Sequence, residues 1–308
     1  MATPPPSMPR ALRPSGYSGG RVSAAGRIGC APEEVLFTSG GTEANNLAIF
    51  GAAQSLARRG HRIVTTAIEH PSVEKPVKEL ERQGFEVVFL PAGEDGKVRR
   101  EDLLEAVNSD TILVSMMAVN NEVGSLQPLE AVRGAIKRAG APALFHCDCV
   151  QGFGKLEVKP AALGIDLMTV SSHKIHVGFG AACAALPEEK AGLAHAAELR
   201  DYLLEQLSSL RGITINSPPD ALPYIVNLSI PGMRSEPVLN LLSEMGVYVS
   251  SGSACAKGHK SPVLTALGLP DTRIDSALRI SFSRFTTQQE IDALVAGIKR
   301  VQQVLRRV

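Results

Sequence analysis

The chain has 308 residues, 44% of them hydrophobic and 20% charged, enough for one large core with a smaller lobe. Disordered, collagenous and coiled-coil proteins are thereby excluded. Lys and Arg (32) balance Asp and Glu (31) to a formal net charge of +1, so no overall basic field gathers nucleic acid, and no apolar run approaches the roughly eighteen residues of a membrane span.

Residues 1–31 hold no acid, several arginines and serines and a Pro-Pro-Pro run, and they read as an irregular segment. An organelle transit peptide leading to a matrix compartment is the alternative reading. From Pro32 apolar β-rich runs alternate with amphipathic stretches. The pattern predicts strands over 35–37, 62–66, 86–90, 111–116, 143–146 and 166–170, with helices over 42–59, 73–83, 100–108 and 129–139 between them. This is the signature of an α/β domain over 32–187, a mostly parallel sheet with helices on both faces. Beyond residue 188 the pattern changes to a long helix over 189–210, then short strands over 213–215, 224–229, 247–250 and 277–282. A last helix opens on a capping box from Thr287 to Glu290 and carries the apolar stripe Ile291, Leu294, Val295, Ile298 and Val301. Residues 188–308 therefore read as a smaller α+β domain.

Five cysteines (Cys30, Cys147, Cys149, Cys183, Cys255) are sparse, odd in number and without paired C-x-x-C spacing, so the expectation is a reducing, cytoplasmic compartment and no metal site. On a strand Cys147 and Cys149 share one face and Asp148 points to the other.

In an open parallel sheet the ligand sits beyond the carboxyl ends of the strands, so the residues that follow each strand matter most. Gly40, Gly41 and Thr42 form a glycine turn opening into a helix, where free backbone N–H groups suit a phosphate. A bare turn has the same composition. Lys174 follows the strand over 166–170, and Asp148 closes the strand before it. A lysine there is often only a solvated strand end, but an amine and an acid facing one pocket are what pyridoxal phosphate needs, as a Schiff-base partner and a pyridine-nitrogen partner. His70 can stack on such a ring, although a lone strand-end histidine is as often structural, and Asn121 and Gln151 can hydrogen-bond its phenolic oxygen. Cys255 lies in a loop of small residues beside Lys257, a setting that suits an exposed thiolate; a buried, inert cysteine is the alternative reading. Arg279, a charge on an apolar strand, needs an anion: a substrate carboxylate or a structural acid.

Seven motifs in order, SGGTEANN (39–46), EHPSV (69–73), VNNEVG (119–124), DCVQGFGK (148–155), SSHK (171–174), SGSACAKG (251–258) and LRISFSRFTT (278–287), resemble those of the cysteine desulfurases of the class V aminotransferase family. The resemblance implies a fold-type I pyridoxal 5'-phosphate enzyme and extends from about Pro32 to the C-terminus. It implies that Lys174 holds the cofactor, that Asp148 pairs with the pyridine nitrogen and that His70 stacks on the ring. Asn121 and Gln151 contact its substituents, and Gly41, Thr42, Ser171 and His173 form the phosphate site. Cys255 takes sulfur from L-cysteine as a persulfide with release of alanine, and Asn121 and Arg279 bind the substrate. A homodimer is implied, with a sulfur-acceptor protein as partner, either an iron-sulfur scaffold or a tRNA-thiolation protein.

Two family segments have no counterpart: an amino-terminal piece, and a stretch after His176, where SSHKIH (171–176) runs directly into VGFGAAC (177–183). Two alternatives follow. One is an impaired relative or a non-enzymatic partner of active desulfurases; the other is a different class V transaminase or lyase in which Cys255 is incidental.

Overall fold

The computed structural model describes residues 14–174, 189–251 and 260–305. Five strands, β1 (Arg62–Thr66), β2 (Glu86–Leu90), β3 (Thr111–Ser115), β4 (Leu144–Asp148) and β5 (Leu167–Thr169), form one sheet in the order β2-β1-β3-β4-β5. Every neighbouring pair is parallel. Chain order runs outward in one direction from β1 to β2 and in the other from β3 to β5, so it reverses between β1 and β3. Such a reversal opens a crevice at the carboxyl ends of the strands.

Helices cover both faces because strand side chains alternate. On one face Ile63 and Leu113 pack against Ile49, Ala52 and Ala53 of α2 (Gly41–Leu56) and against Val73, Val77 and Leu80 of α3 (Pro71–Arg82). On the other, Val64, Val114, Phe145 and Cys147 meet Leu103 of α4 (Arg100–Ala106) and Val132 and Ile136 of α5 (Leu129–Ala139). Burying each of these larger apolar side chains stabilises the fold by about 1.5–3 kcal/mol. Cys147 and Cys149 share the α5 face, whereas Asp148 bonds to α2 on the other.

The same apolar cluster continues into a three-stranded antiparallel sheet, β6 (Thr214–Ile215), β7 (Ile225–Ser229) and β8 (Ala277–Ser281), in the order β6-β7-β8. Its helices are α7 (Glu189–Ser208), α8 (Ser235–Glu244) and α11 (Gln288–Val304), joined by a one-turn α6 (Pro160–Leu163) upstream and the short α9 (Pro262–Ala266) and α10 (Asp271–Ile274). The Thr287 to Glu290 capping box is formed, and the stripe from Ile291 to Val301 is buried.

Three expectations fail. Residues 14–28 are not irregular but form helix α1 (Pro14–Ile28), whose Ala24 and Ala25 are buried beneath Val35. Residues 35–37 make no strand: Val35 is extended yet spends its side chain on α1, outside the sheet. Over 247–250 only Ser250 pairs, in a single antiparallel bridge to Arg279. Among the described residues no helix is long and apolar enough to cross a membrane.

Candidate active site

The crevice encloses about 550 Å³. Its walls include Gly41, Thr42, His70, Asn121, Asp148, Gln151, His173, Lys174 and Arg279, nine residues up to 238 positions apart drawn from helix starts, strand ends and loops. Ser171 lies just behind the wall, buried, with its hydroxyl 2.7 Å from His173 Nδ1. Cys255, and the 177–186 run, lie outside the described residues.

Asp148 ends β4 and is buried, with Oδ1 accepting from the Val150 N–H (3.0 Å) and Oδ2 from Asn45 Nδ2 (2.7 Å). Burial pushes its pKa up, and these two donors oppose the shift. Asn45 also donates to Ser72 Oγ (2.8 Å), which lies 2.7 Å from His70 Nδ1. A chain of hydrogen bonds thus joins the strand-end acid to the histidine. The Ser72 backbone N–H donates to the same Nδ1 at 3.1 Å, so that nitrogen is the acceptor and the ring proton sits on Nε2. Burial, and secondarily Lys174, lower the His70 pKa, against the pull of Asp148, so the ring is neutral at physiological pH.

Lys174 closes a single 3-10 turn, Ser172–Lys174, after β5. Its pKa is lowered first by burial and then by Arg279. Arg279 lies on β8; its Nη1 donates to the Asn121 carbonyl (3.0 Å), and its backbone exchanges both hydrogen bonds with Ser250. Arg279 Nε and Asn121 Oδ1 are buried with no partner, a donor and an acceptor left open at the wall. An amino acid, which carries both a carboxylate and an ammonium, satisfies such a pair.

The N-terminus of α2 also lines the cavity; Gly40 there is extended and the first free N–H groups belong to Gly41 and Thr42. A Cβ on Gly41 would stand 3.1 Å from Val150 Cγ2, so glycine lets the helix start approach the strand-end loops closely. An open helix N-terminus, an amine and a buried acid around one cavity fit the phosphate, aldehyde carbon and ring nitrogen of pyridoxal phosphate.

Two acids that line the cavity received no role from the sequence. Glu69 is buried, its Oε1 accepting from Met117 N (2.8 Å) and Thr66 Oγ1 (2.9 Å) while Oε2 has no partner; burial raises its pKa to about 8, so it stays protonated at neutral pH. Glu122 accepts from Ser261 Oγ at 2.5 Å, and burial raises its pKa against the opposing charge of Arg279. Asn45 was also missed. All three lie in or beside the motifs quoted above, but only the fold brings their partners near.

The aminotransferase class-V family model matches residues 15–189 and 176–294, two stretches that overlap over 176–189, where SSHKIH runs into VGFGAAC. Cysteine desulfurase IscS of Colwellia psychrerythraea is 37% identical over 317 residues, covering 88% of this chain and 78% of that one. A solved NifS-like protein superposes with a TM-score of 0.86 at 31% identity, covering 94% of this chain and 88% of its own. A structure of SspA in complex with cysteine gives 0.74 at 25% identity, covering 88% and 87%. Proteins of this family depend on pyridoxal phosphate. The chain belongs to the class-V aminotransferase family and, within it, to the cysteine desulfurases.

Proposed function

We propose that the chain removes sulfur from L-cysteine with bound pyridoxal phosphate and carries it as a persulfide on Cys255. The observation that carries this reading is the convergence of Lys174, Asp148 and Arg279 on one cavity. When bound, the cofactor supplies an electron sink conjugated to the substrate's α carbon. Asp148, kept in place by Asn45 and the Val150 N–H, holds the proton on the ring nitrogen. The amine of Lys174, lowered in pKa, holds the cofactor and moves protons at the substrate carbon. Neutral His70 offers a flat ring beside them, Gly41, Thr42, Ser171 and His173 receive the phosphate, and Arg279 with Asn121 orients the substrate carboxylate. Overall, L-cysteine and the Cys255 thiol give L-alanine and a Cys255 persulfide: one C–S bond breaks, one S–S bond forms, and the proton count is conserved.

The reading extends to a homodimer in the cytoplasm that passes sulfur to an acceptor protein, an iron-sulfur scaffold or a tRNA-thiolation protein. The test is to incubate the purified chain with pyridoxal phosphate and L-cysteine and to follow alanine and protein-bound persulfide. Both should appear, both should vanish in Lys174→Ala, and Cys255→Ser should bind cysteine without forming persulfide. Undiminished persulfide and sulfide release in Cys255→Ser would remove that residue from the mechanism.

A further inference from the structure

Lys155 has no role in the site above, although it ends the motif that begins at Asp148. Gly154 takes φ +72°, the left-handed region, and the chain turns so that the Lys155 N–H donates to the Gly152 carbonyl at 3.0 Å. The Lys155 side chain thereby returns over Gln151, with Nζ 3.4 Å from Gln151 Oε1 and 5.4 Å from the centroid of the buried Tyr224 ring. Among the described residues it makes no ion pair, and its charged neighbours are Lys174 and Arg279. Burial and these two cations lower its pKa to about 8, which leaves it mostly protonated at neutral pH.

An ammonium carries only donors. A carboxamide beside it must therefore turn its oxygen toward the lysine, because the reverse orientation sets N–H against N–H. Gln151 lines the cavity and Lys155 does not. We propose that Lys155 is a positioning residue that locks the Gln151 carboxamide with its oxygen inward, so that the amide N–H₂ is the face offered to the cavity and selects a cofactor with an acceptor oxygen there. This rests on the pyridoxal phosphate reading and specifies how one wall of that site keeps its polarity.

The test is a double-mutant cycle on cofactor affinity, read from the visible absorption and circular dichroism of the bound cofactor, with the thermal midpoint of the cofactor-free chain as a check on folding. Lys155→Met and Gln151→Ala should each weaken binding about five- to tenfold, as expected for loss of one oriented hydrogen bond, and should alter the dichroic band alike. The double variant should bind no worse than Gln151→Ala alone, and Lys155→Arg should stay within about twofold of wild type. Gln151→Glu, which can pair with Lys155 but offers no donor, should bind at least as weakly as Gln151→Ala and serves if Lys155→Met does not fold. Wild-type affinity and dichroism in Lys155→Met, multiplied losses in the double variant, or wild-type affinity in Gln151→Glu would each overturn the proposal. A wild-type chain with no cofactor band would instead overturn the proposed function beneath it.

Discussion

His146 and Asp148 stand two residues apart on β4, on the same face of the strand, and their surroundings differ in kind. His146 lies within the sheet, where Ser115 Oγ sits 2.8 Å from Nδ1 and Thr169 Oγ1 3.2 Å from Nε2, so both ring nitrogens are satisfied and the network is closed. Asp148 lies at the strand end, where the network through Asn45, Ser72 and His70 leaves the Asn45 Oδ1 and the nearby Glu69 Oε2 without partners. A closed polar network holds strands together; an open one leaves buried groups that a ligand can satisfy. Position along a single strand is thus enough to separate structure from chemistry.

The comparison breaks if the two residues prove interchangeable in effect. Asp148→Asn should lower kcat by about a thousandfold, because the amide cannot hold the ring-nitrogen proton, while the unfolding midpoint of the cofactor-free chain changes little. Steady-state kinetics beside denaturant unfolding would show the split. His146 should behave in the opposite way. Burial lowers its pKa to about 4, so the folded chain refuses a proton that the unfolded chain accepts near 6.5. Its contribution to stability is complete above pH 6.5 and is lost as pH falls toward 4, by on the order of 3 kcal/mol. His146→Gln, neutral in both states, should flatten that part of the stability profile; parallel profiles for the two proteins would show that His146 is not held neutral. The smallest of the three effects concerns the other wall: Arg279→Lys should raise the KM for cysteine about thirtyfold with cofactor affinity unaltered, because an ammonium cannot reproduce a bidentate hold on a carboxylate.

The strand-end residues were legible because parallel strands are buried on both faces and read as continuous apolar runs, so a polar residue that ends one stands out. Asp148 after the run from Leu144 and Lys174 after the run from Leu167 are cases of this. Arg279 was legible for the complementary reason, as a charge within the apolar run Ala277–Ser281. The link from Asn45 to Asp148 spans 103 positions and that from Glu122 to Ser261 spans 139, and no local pattern encodes such pairings. Helix α1 escaped because its four glycines argue against a helix, a preference overridden by the packing of Ala24 and Ala25 on Val35. The apolar residues at 35–37 resemble a strand in composition, but α1 takes the face that a sheet would have used.

Two lysines near the cavity have lowered pKa values, Lys174 on its wall and Lys155 behind Gln151, and the account requires that only the first meets the cofactor aldehyde. The most direct test is to load the purified chain with pyridoxal phosphate, reduce it with borohydride and locate the resulting adduct by peptide mass spectrometry. A single adduct should form on Lys174, stoichiometric at saturating cofactor, prevented by Lys174→Ala and unchanged in position in Lys155→Met. An adduct on Lys155, or one scattered over surface lysines, would contradict it.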